Sequence, residues 1–215
     1  MKTIVAATRN EHKIKEIEAI TKQFGMSIIS RDEAGVPKIE IPEDGDTFEE
    51  NSRLKAVGIM KLCNEITIAD DSGLEVDCLG GAPGVYSARF AAFAGLRPED
   101  GEQDSPDTND DDNNKKVMRL IKDKPFEECT ARFVSVITMA FPDGREISVR
   151  GEVEGHVIPE ERGGGGFGYD PMFIPLGYDK TFGELGQDIK NQLSHRAKAL
   201  TALSEKLKDM KDIIE

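Results

Sequence analysis

Two adjacent carboxylates, Asp70 and Asp71, directly follow the short apolar run 66–69 and precede Ser72 and Gly73. Like charges so close are costly unless a cation lies between or beside them. The end of a strand is where α/β proteins place catalytic groups. Residues of this type and spacing suit Mg²⁺ and an activated water. The structural alternative is an Asx-turn closed by Gly73. Glu40, Glu43 and Asp44 lie in the preceding loop and could add a metal ligand, and spacing does not choose among them.

A second set runs Thr8, Arg9, Asn10, Glu11, His12, Lys13, where a β-type run ends and a helix begins. Free amides at a helix N-terminus attract phosphate. Lys13 would sit in the first turn, against the helix dipole, and a bound anion would remove that conflict. The alternative is an exposed lysine on a surface helix. The anomaly repeats at Ser194, His195, Arg196 and Lys198, with Lys190 just before, at the presumed start of the last helix. Arg and Lys there could hold phosphate.

A third set is the glycine-rich stretch 163–171, with Phe167, Gly168, Tyr169 and Asp170. Its G-x-G-x-x-G spacing is not a dinucleotide fingerprint, because Pro171 forbids the helix that should follow. A loop that brings backbone close to a ligand while a ring stacks on a base remains. The alternative is a surface hairpin anchored by its aromatics. No Gly-Lys-Ser/Thr P-loop occurs in the chain. Ser72, His195 and Asp71 lack the G-x-S-x-G elbow a nucleophilic triad would want. An EF-hand reading of 107–118 fails, with Asp112 where Gly is needed and Met118 where Glu is needed.

The elements that must position these residues alternate. Residues 2–8 read as a strand, then Ile14, Ile17, Ile20 and Phe24 recur at helical spacing up to Gly25, and 26–30 reads as a second strand. Thr47-Phe48-Glu49-Glu50 is a capping box opening a helix to about Cys63. Residues 66–69 and 74–77 read as two short strands separated by the Asp-Asp-Ser-Gly turn. Residues 114–122 form a helix. Residues 130–141 and 146–157 form a long hairpin around Pro142-Asp143-Gly144-Arg145. A last helix runs from about Ser194 to Met210. Interleaved strands and helices with one hairpin predict an α/β fold with a mixed central sheet flanked by helices. The 215 residues are read as one domain.

The net charge is −13, and residues 99–112 hold eight acids and no base, so most of the excess is one run, read as a solvated, mobile loop within the domain. A chain without a basic face predicts no nucleic-acid or membrane partner. No apolar run approaches the ~20 residues of a membrane span. Cys63, Cys78 and Cys129 are widely spaced and read as free thiols of a cytoplasmic protein.

These motifs, in this order, resemble the inosine triphosphate pyrophosphatases, enzymes that remove non-canonical purine nucleoside triphosphates. The resemblance rests on T-R-N-E-H-K at 8–13, T-F-E-E-N at 47–51, A-D-D-S-G-L at 69–74, G-G-A-P-G-V-Y-S-A-R-F at 80–90, G-G-F-G-Y-D-P at 165–171 and S-H-R-A-K-A-L at 194–200. It implies an elongated two-lobed fold with a nucleotide cleft between the lobes, a homodimer, and a Mg²⁺-dependent hydrolysis of ITP, dITP and XTP to monophosphate and pyrophosphate. It implies Asp71 as catalytic base and metal ligand, with Glu43 and Asp70 as further ligands. Thr8, Arg9, Asn10, Glu11, His12 and Lys13 would bind the triphosphate, and Ser72 would touch substrate. Phe167, Gly168, Tyr169 and Asp170 would hold base and sugar, with Lys190, His195 and Arg196 completing the site. The run after Phe90 is longer and more acidic than the family's usual loop.

Overall fold

The computed structural model of the protein describes residues 2–8, 11–101 and 109–209. Strands β1 (Lys2–Ala6), β2 (Met26–Ser30), β3 (Thr67–Val76), β4 (Thr130–Ala140), β5 (Glu146–Val157) and β6 (Phe173–Pro175) form one sheet in the order β2-β1-β3-β4-β5-β6. β1 pairs parallel with β2 and β3, and β5 pairs antiparallel with β6, so the sheet is mixed, as predicted. The helices are α1 (Glu11–Thr21), α2 (Phe48–Cys63), α3 (Asp110–Ile121), α4 (Gln187–Leu193) and α5 (His195–Asp209). The capping box is formed: the Thr47 hydroxyl accepts from Glu50 N at 3.1 Å and the Glu50 carboxylate accepts from Thr47 N at 3.1 Å.

The chain divides into two compact units. One comprises Met1–Asp71, Ser135–Gly151 and Arg196–Glu215, the other Ser72–Val134 and Glu152–His195. In the first, strand periodicity assigns the faces. Ile4 and Ile68 pack with Ile17 of α1 and Leu200, Leu203 and Leu207 of α5. Their neighbours Val5 and Ala69 pack with Ala56 and Ile59 of α2. Successive residues of a strand point to opposite faces, so α1 and α5 cover one side and α2 the other. In the second unit the core is aromatic, with Phe133 4.6 Å from Phe173 and Phe173 5.4 Å from Phe182, ring centre to ring centre.

Four expectations are corrected. First, the run 66–77 is not two strands broken by a turn: β3 is continuous through Asp70-Asp71-Ser72-Gly73. Gly73 is there for close approach, since a Cβ would lie 2.3 Å from Ser87 Oγ and 2.6 Å from Gly84 O. Ser87 Oγ accepts from Leu74 N at 2.9 Å and donates to Gly84 O at 2.6 Å, so Gly73→Ala must break that pair of bonds. Urea unfolding of Gly73→Ala should show a loss of about 2–3 kcal/mol from overpacking and the lost bonds; a loss below 1 kcal/mol would mean the strand yields freely there. Second, residues 99–112 are not a loop throughout. Pro98–Asp100 is a 3-10 turn and Asp110–Asp112 opens α3, with the Asn109 side chain accepting from Asp112 N at 2.9 Å. Acids suit the positive end of a helix. Residues 102–108 lie outside the described residues. Third, β6 and α4 have no counterpart in the sequence reading. Fourth, Lys190 lies in the last turn of α4 rather than at a helix start, where the dipole favours it.

Candidate active site

The ladder between β1 and β3 continues past β1, with Ala7 N donating to Ile68 O at 2.8 Å. Thr8 thus leaves β1 beside Asp70, while the parallel neighbour β3 runs on. Alternation then separates the two aspartates. Asp70 shares the face of Ile68, and Asp71 that of Ala69. The contacts agree. Asp70 Oδ2 is 2.7 Å from Lys13 Nζ on α1 and 3.8 Å from Arg196 Nε on α5. Asp71 Oδ1 accepts from Lys55 Nζ on α2 at 2.8 Å, and the same ammonium donates to Glu43 Oε2 at 3.2 Å. The adjacent carboxylates are therefore two sites with separate partners.

Asp70 is 3% exposed. Burial pushes its carboxyl up, but the charges of Lys13 and Arg196 outweigh this and hold it below the ordinary carboxylate value. The cations that crowd the starts of α1 and α5 meet an anion built into the chain. Asp71 is 9% exposed, and burial is the largest influence on it. Lys55 pulls its pKa down, Glu43 and Asp70 add to the rise, and the balance is a raised value. Burial lowers the Lys55 pKa, and its acidic neighbours raise it more.

Four of these groups, Lys13, Glu43, Lys55 and Asp70, line a cavity of about 420 Å³, within the range of small-ligand sites. Its wall includes Thr8, Lys13, Lys55, Glu40, Glu43 and Asp70. The loop carrying Glu43 is tied at both ends. Arg31 Nη2 donates to Ile39 O at 2.6 Å, and Gly45 N donates to the Asn51 side chain at 2.9 Å. Lys55 is the residue the sequence reading missed. Its signal was its place on α2, beside Asn51, Ser52, Ala56 and Ile59 on the buried face, where a lysine needs a reason.

The other predicted residues fall as follows. Thr8 is half-buried at the cavity wall. Arg9 and Asn10 lie outside the described residues, and Glu11 and His12 open α1 with side chains outside them. Ser72 is half-buried within β3. In the second unit, Phe167 is 61% exposed. Tyr169 and Asp170 do not offer their side chains to solvent as a base pocket would ask. The Tyr169 hydroxyl is buried and donates to Ser87 O at 2.8 Å. Burial raises its pKa above the ordinary phenol value. Asp170 is buried, accepts from Phe167 N at 2.8 Å and is ion-paired with Lys190. Lys190 Nζ also lies 4.4 Å from the centre of the Phe167 ring, a cation–π distance. His195 is buried and stacked on Phe133 at 5.1 Å. No helix follows the glycine stretch. A 3-10 turn, Asp170–Met172, leads into β6.

Among the described residues no group of three or more His, Cys, Asp or Glu is poised as a metal site. Two carboxylates are nevertheless gathered on one cation, and Asp71 Oδ2 is buried without a hydrogen-bond partner. A hard oxygen pair with one orphaned atom fits Mg²⁺. Cys63, Cys78 and Cys129 are free, and no described helix is long and apolar enough to cross a membrane.

Fold and cavity together define a mixed α/β protein whose small-ligand cavity sets Lys13, Arg31 and Lys55 beside the carboxylates of Glu40, Glu43 and Asp70. Comparison with known proteins narrows the class. Residues 4–206 match the Ham1 family model, and the chain belongs to that family. It is 42% identical over 214 residues to a Clostridium perfringens protein named dITP/XTP pyrophosphatase, covering 97% of this chain and 98% of that one. It is 44% identical over 207 residues to the Bacillus subtilis dITP/XTP pyrophosphatase, covering 96% and 98%. Among solved structures, the Staphylococcus aureus Ham1 protein superimposes with a TM-score of 0.83 at 37% identity, covering 97% of this chain and 99% of that one. A HAM1 protein from Coxiella burnetii gives 0.84 at 33%, covering 97% and 100%.

Proposed function

We propose that this protein hydrolyses non-canonical purine nucleoside triphosphates, dITP, ITP and XTP, to the monophosphate and pyrophosphate. The observation that carries the reading is the pairing of Asp71 and Glu43 on one ammonium beside a cavity walled by Lys13 and Lys55, in a chain of this family. The names of its 42–44% identical relatives support the substrate class.

Glu43 and Asp71 are the residues we assign to Mg²⁺. When bound, the ion offsets charge on the leaving pyrophosphate. Asp70 is left out of that set, because its charge is committed to Lys13 and Arg196. Asp71, with its raised pKa, orients the attacking water and accepts its proton as the α-phosphorus is attacked. Lys13 and Lys55, on the cavity wall, are the cations we assign to the triphosphate. Preorganised cations of this kind supply several kcal/mol where charge develops. Phe167 offers its exposed ring to the purine. A donor to the 6-oxo group, from His195, Arg196 or a backbone N–H, would reject adenine. A wall without acceptors at position 2 would reject guanine. We further propose a cytoplasmic homodimer.

The test is a product assay with ITP, XTP, ATP and GTP at equal concentration, quantifying pyrophosphate and phosphate separately, with and without Mg²⁺. Pyrophosphate from ITP and XTP, with ATP and GTP cleaved at least tenfold more slowly and loss of activity on chelation, is the expected result. Phosphate as product would overturn the chemistry, and equal use of all four would overturn the substrate class.

A further inference from the structure

An exposed phenylalanine on a glycine-rich loop would ordinarily be mobile, yet the peptides on both sides of Phe167 are fixed. Phe167 N donates to Asp170 Oδ2 at 2.8 Å. Gly168 N donates to Asp110 Oδ2 at 2.8 Å, and Gly168 O accepts from Asn114 Nδ2 at 3.0 Å. The same Asn114 amide donates to Glu161 Oε1 at 2.8 Å, at the head of the loop. Asp110 and Asn114 lie four apart in the first turns of α3, on one side of the helix.

Neighbouring residues anchor α3 itself. Asn113 accepts from Ala91 N at 2.8 Å and donates to Ala88 O at 3.2 Å. The buried Lys116 ammonium donates to Phe90 O at 2.8 Å, Phe93 O at 2.7 Å and Gly95 O at 2.5 Å, and lies 4.1 Å from the centre of the Phe90 ring. With no carboxylate among those partners, Lys116 acts as a fixed multidentate donor. The segment it grips also holds Ser87, whose carbonyl receives the Tyr169 hydroxyl. So α3 grips the 84–96 segment with Asn113 and Lys116, and the aromatic loop with Asp110 and Asn114.

We infer that Asp110 and Asn114 are positioning residues that hold the Phe167 ring preorganised for a purine base, which gives the end of the acidic run a role in substrate recognition. The inference rests on the proposed activity only for the identity of the base. Preorganisation lowers the entropy a ligand must overcome on binding, so its loss should appear in KM and leave kcat nearly unchanged.

The test compares three variants of the whole protein. Asp110→Ala removes the acceptor for Gly168 N. Asp110→Asn keeps an acceptor oxygen and is the conservative rescue. Asp111→Ala removes the same charge from the same helical turn, and its side chain pairs with Lys115 rather than with the loop. Amide hydrogen exchange of residues 163–171 without nucleotide should quicken at least fivefold in Asp110→Ala and stay unchanged in the other two. With ITP, KM should rise roughly three- to tenfold in Asp110→Ala, a loss of about 1 kcal/mol, with kcat within twofold and the other variants near wild type. Equal exchange in Asp110→Ala and Asp111→Ala would overturn the positioning role, whatever the substrate. Faster exchange with an unchanged KM would overturn the role in recognition. Should the wild type fail to cleave ITP, the proposed activity falls, while the exchange result still decides the positioning.

Discussion

Asp71→Asn should lower kcat for ITP on the order of 10³-fold, a barrier increase of about 4 kcal/mol, and leave the protein as stable as wild type or more so. The two halves of that expectation have one cause. Burial pushes the Asp71 pKa up against the pull of Lys55, so at neutral pH the ionised carboxylate is held in the folded state at a cost. A group with a raised folded pKa destabilises the fold above that pKa when it is an acid. An asparagine keeps an oxygen for the Lys55 ammonium, removes the buried charge and cannot take a proton from water. It therefore relieves the fold of a cost and deprives the reaction of its base. Thermal unfolding and pyrophosphate release on one preparation decide the matter. Turnover within tenfold of wild type would remove Asp71 from the role of base. A Tm several degrees lower would show that its charge is structural instead.

That trade between activity and stability also marks where the sequence was legible and where it was not. Local rules sufficed for β2, for the capped helix α2 and for the β4–β5 hairpin, because each carries its own start, period and stop: a glycine after α1, the Thr47–Glu50 box, the turn at Pro142–Arg145. They failed at β3. Asp-Asp-Ser-Gly has the composition of a turn, but Gly73 is needed for its missing Cβ against Ser87 and Gly84, a long-range packing demand with no local trace. They also failed at α4, seven residues with Ile189 and Leu193 as its apolar positions, too short to show a period.

The site divides along the same line. The carboxylates and cations were visible as residue types, and the repeated conflict between lysine or arginine and helix dipole was a true signal. In the structure Asp70, within the chain, lies against Lys13 and Arg196, an internal anion that the sequence reading did not include. The two aspartates looked like a pair because they are adjacent. In a continuous strand adjacency means opposite faces, so recognising β3 as unbroken would have separated them at once. Lys55 was hidden for the reverse reason. It falls on the stripe that faces the sheet, among Asn51, Ser52, Ala56 and Ile59, and a lone lysine there carries no motif of its own.

The second large effect is expected at Asp70. Asp70→Asn keeps the shape of the side chain and removes the charge that Lys13 and Arg196 share. Arg196 is buried, and Lys13 is largely covered at the cavity wall, so two cations would remain with little solvent to replace the lost partner. Removing one member of a buried ion pair typically costs about 3–5 kcal/mol, and urea unfolding at pH 7 should show a loss in that range. The pH dependence separates this from a mere packing defect. The Asp70 carboxyl is held below its ordinary value of 3.8, so its contribution to stability is complete above that value and is lost as pH falls through the lower, folded-state pKa. The gap between wild type and variant should therefore be widest and flat from neutral pH down to about pH 5, then close on further acidification as the wild-type carboxyl takes up a proton. A gap that persisted unchanged to pH 3 would mean the asparagine disturbs packing and not charge. A gap below 1 kcal/mol at pH 7 would mean that Lys13 and Arg196 find other partners, and that the convergence of α1 and α5 on Asp70 is not what holds those cations at the cavity.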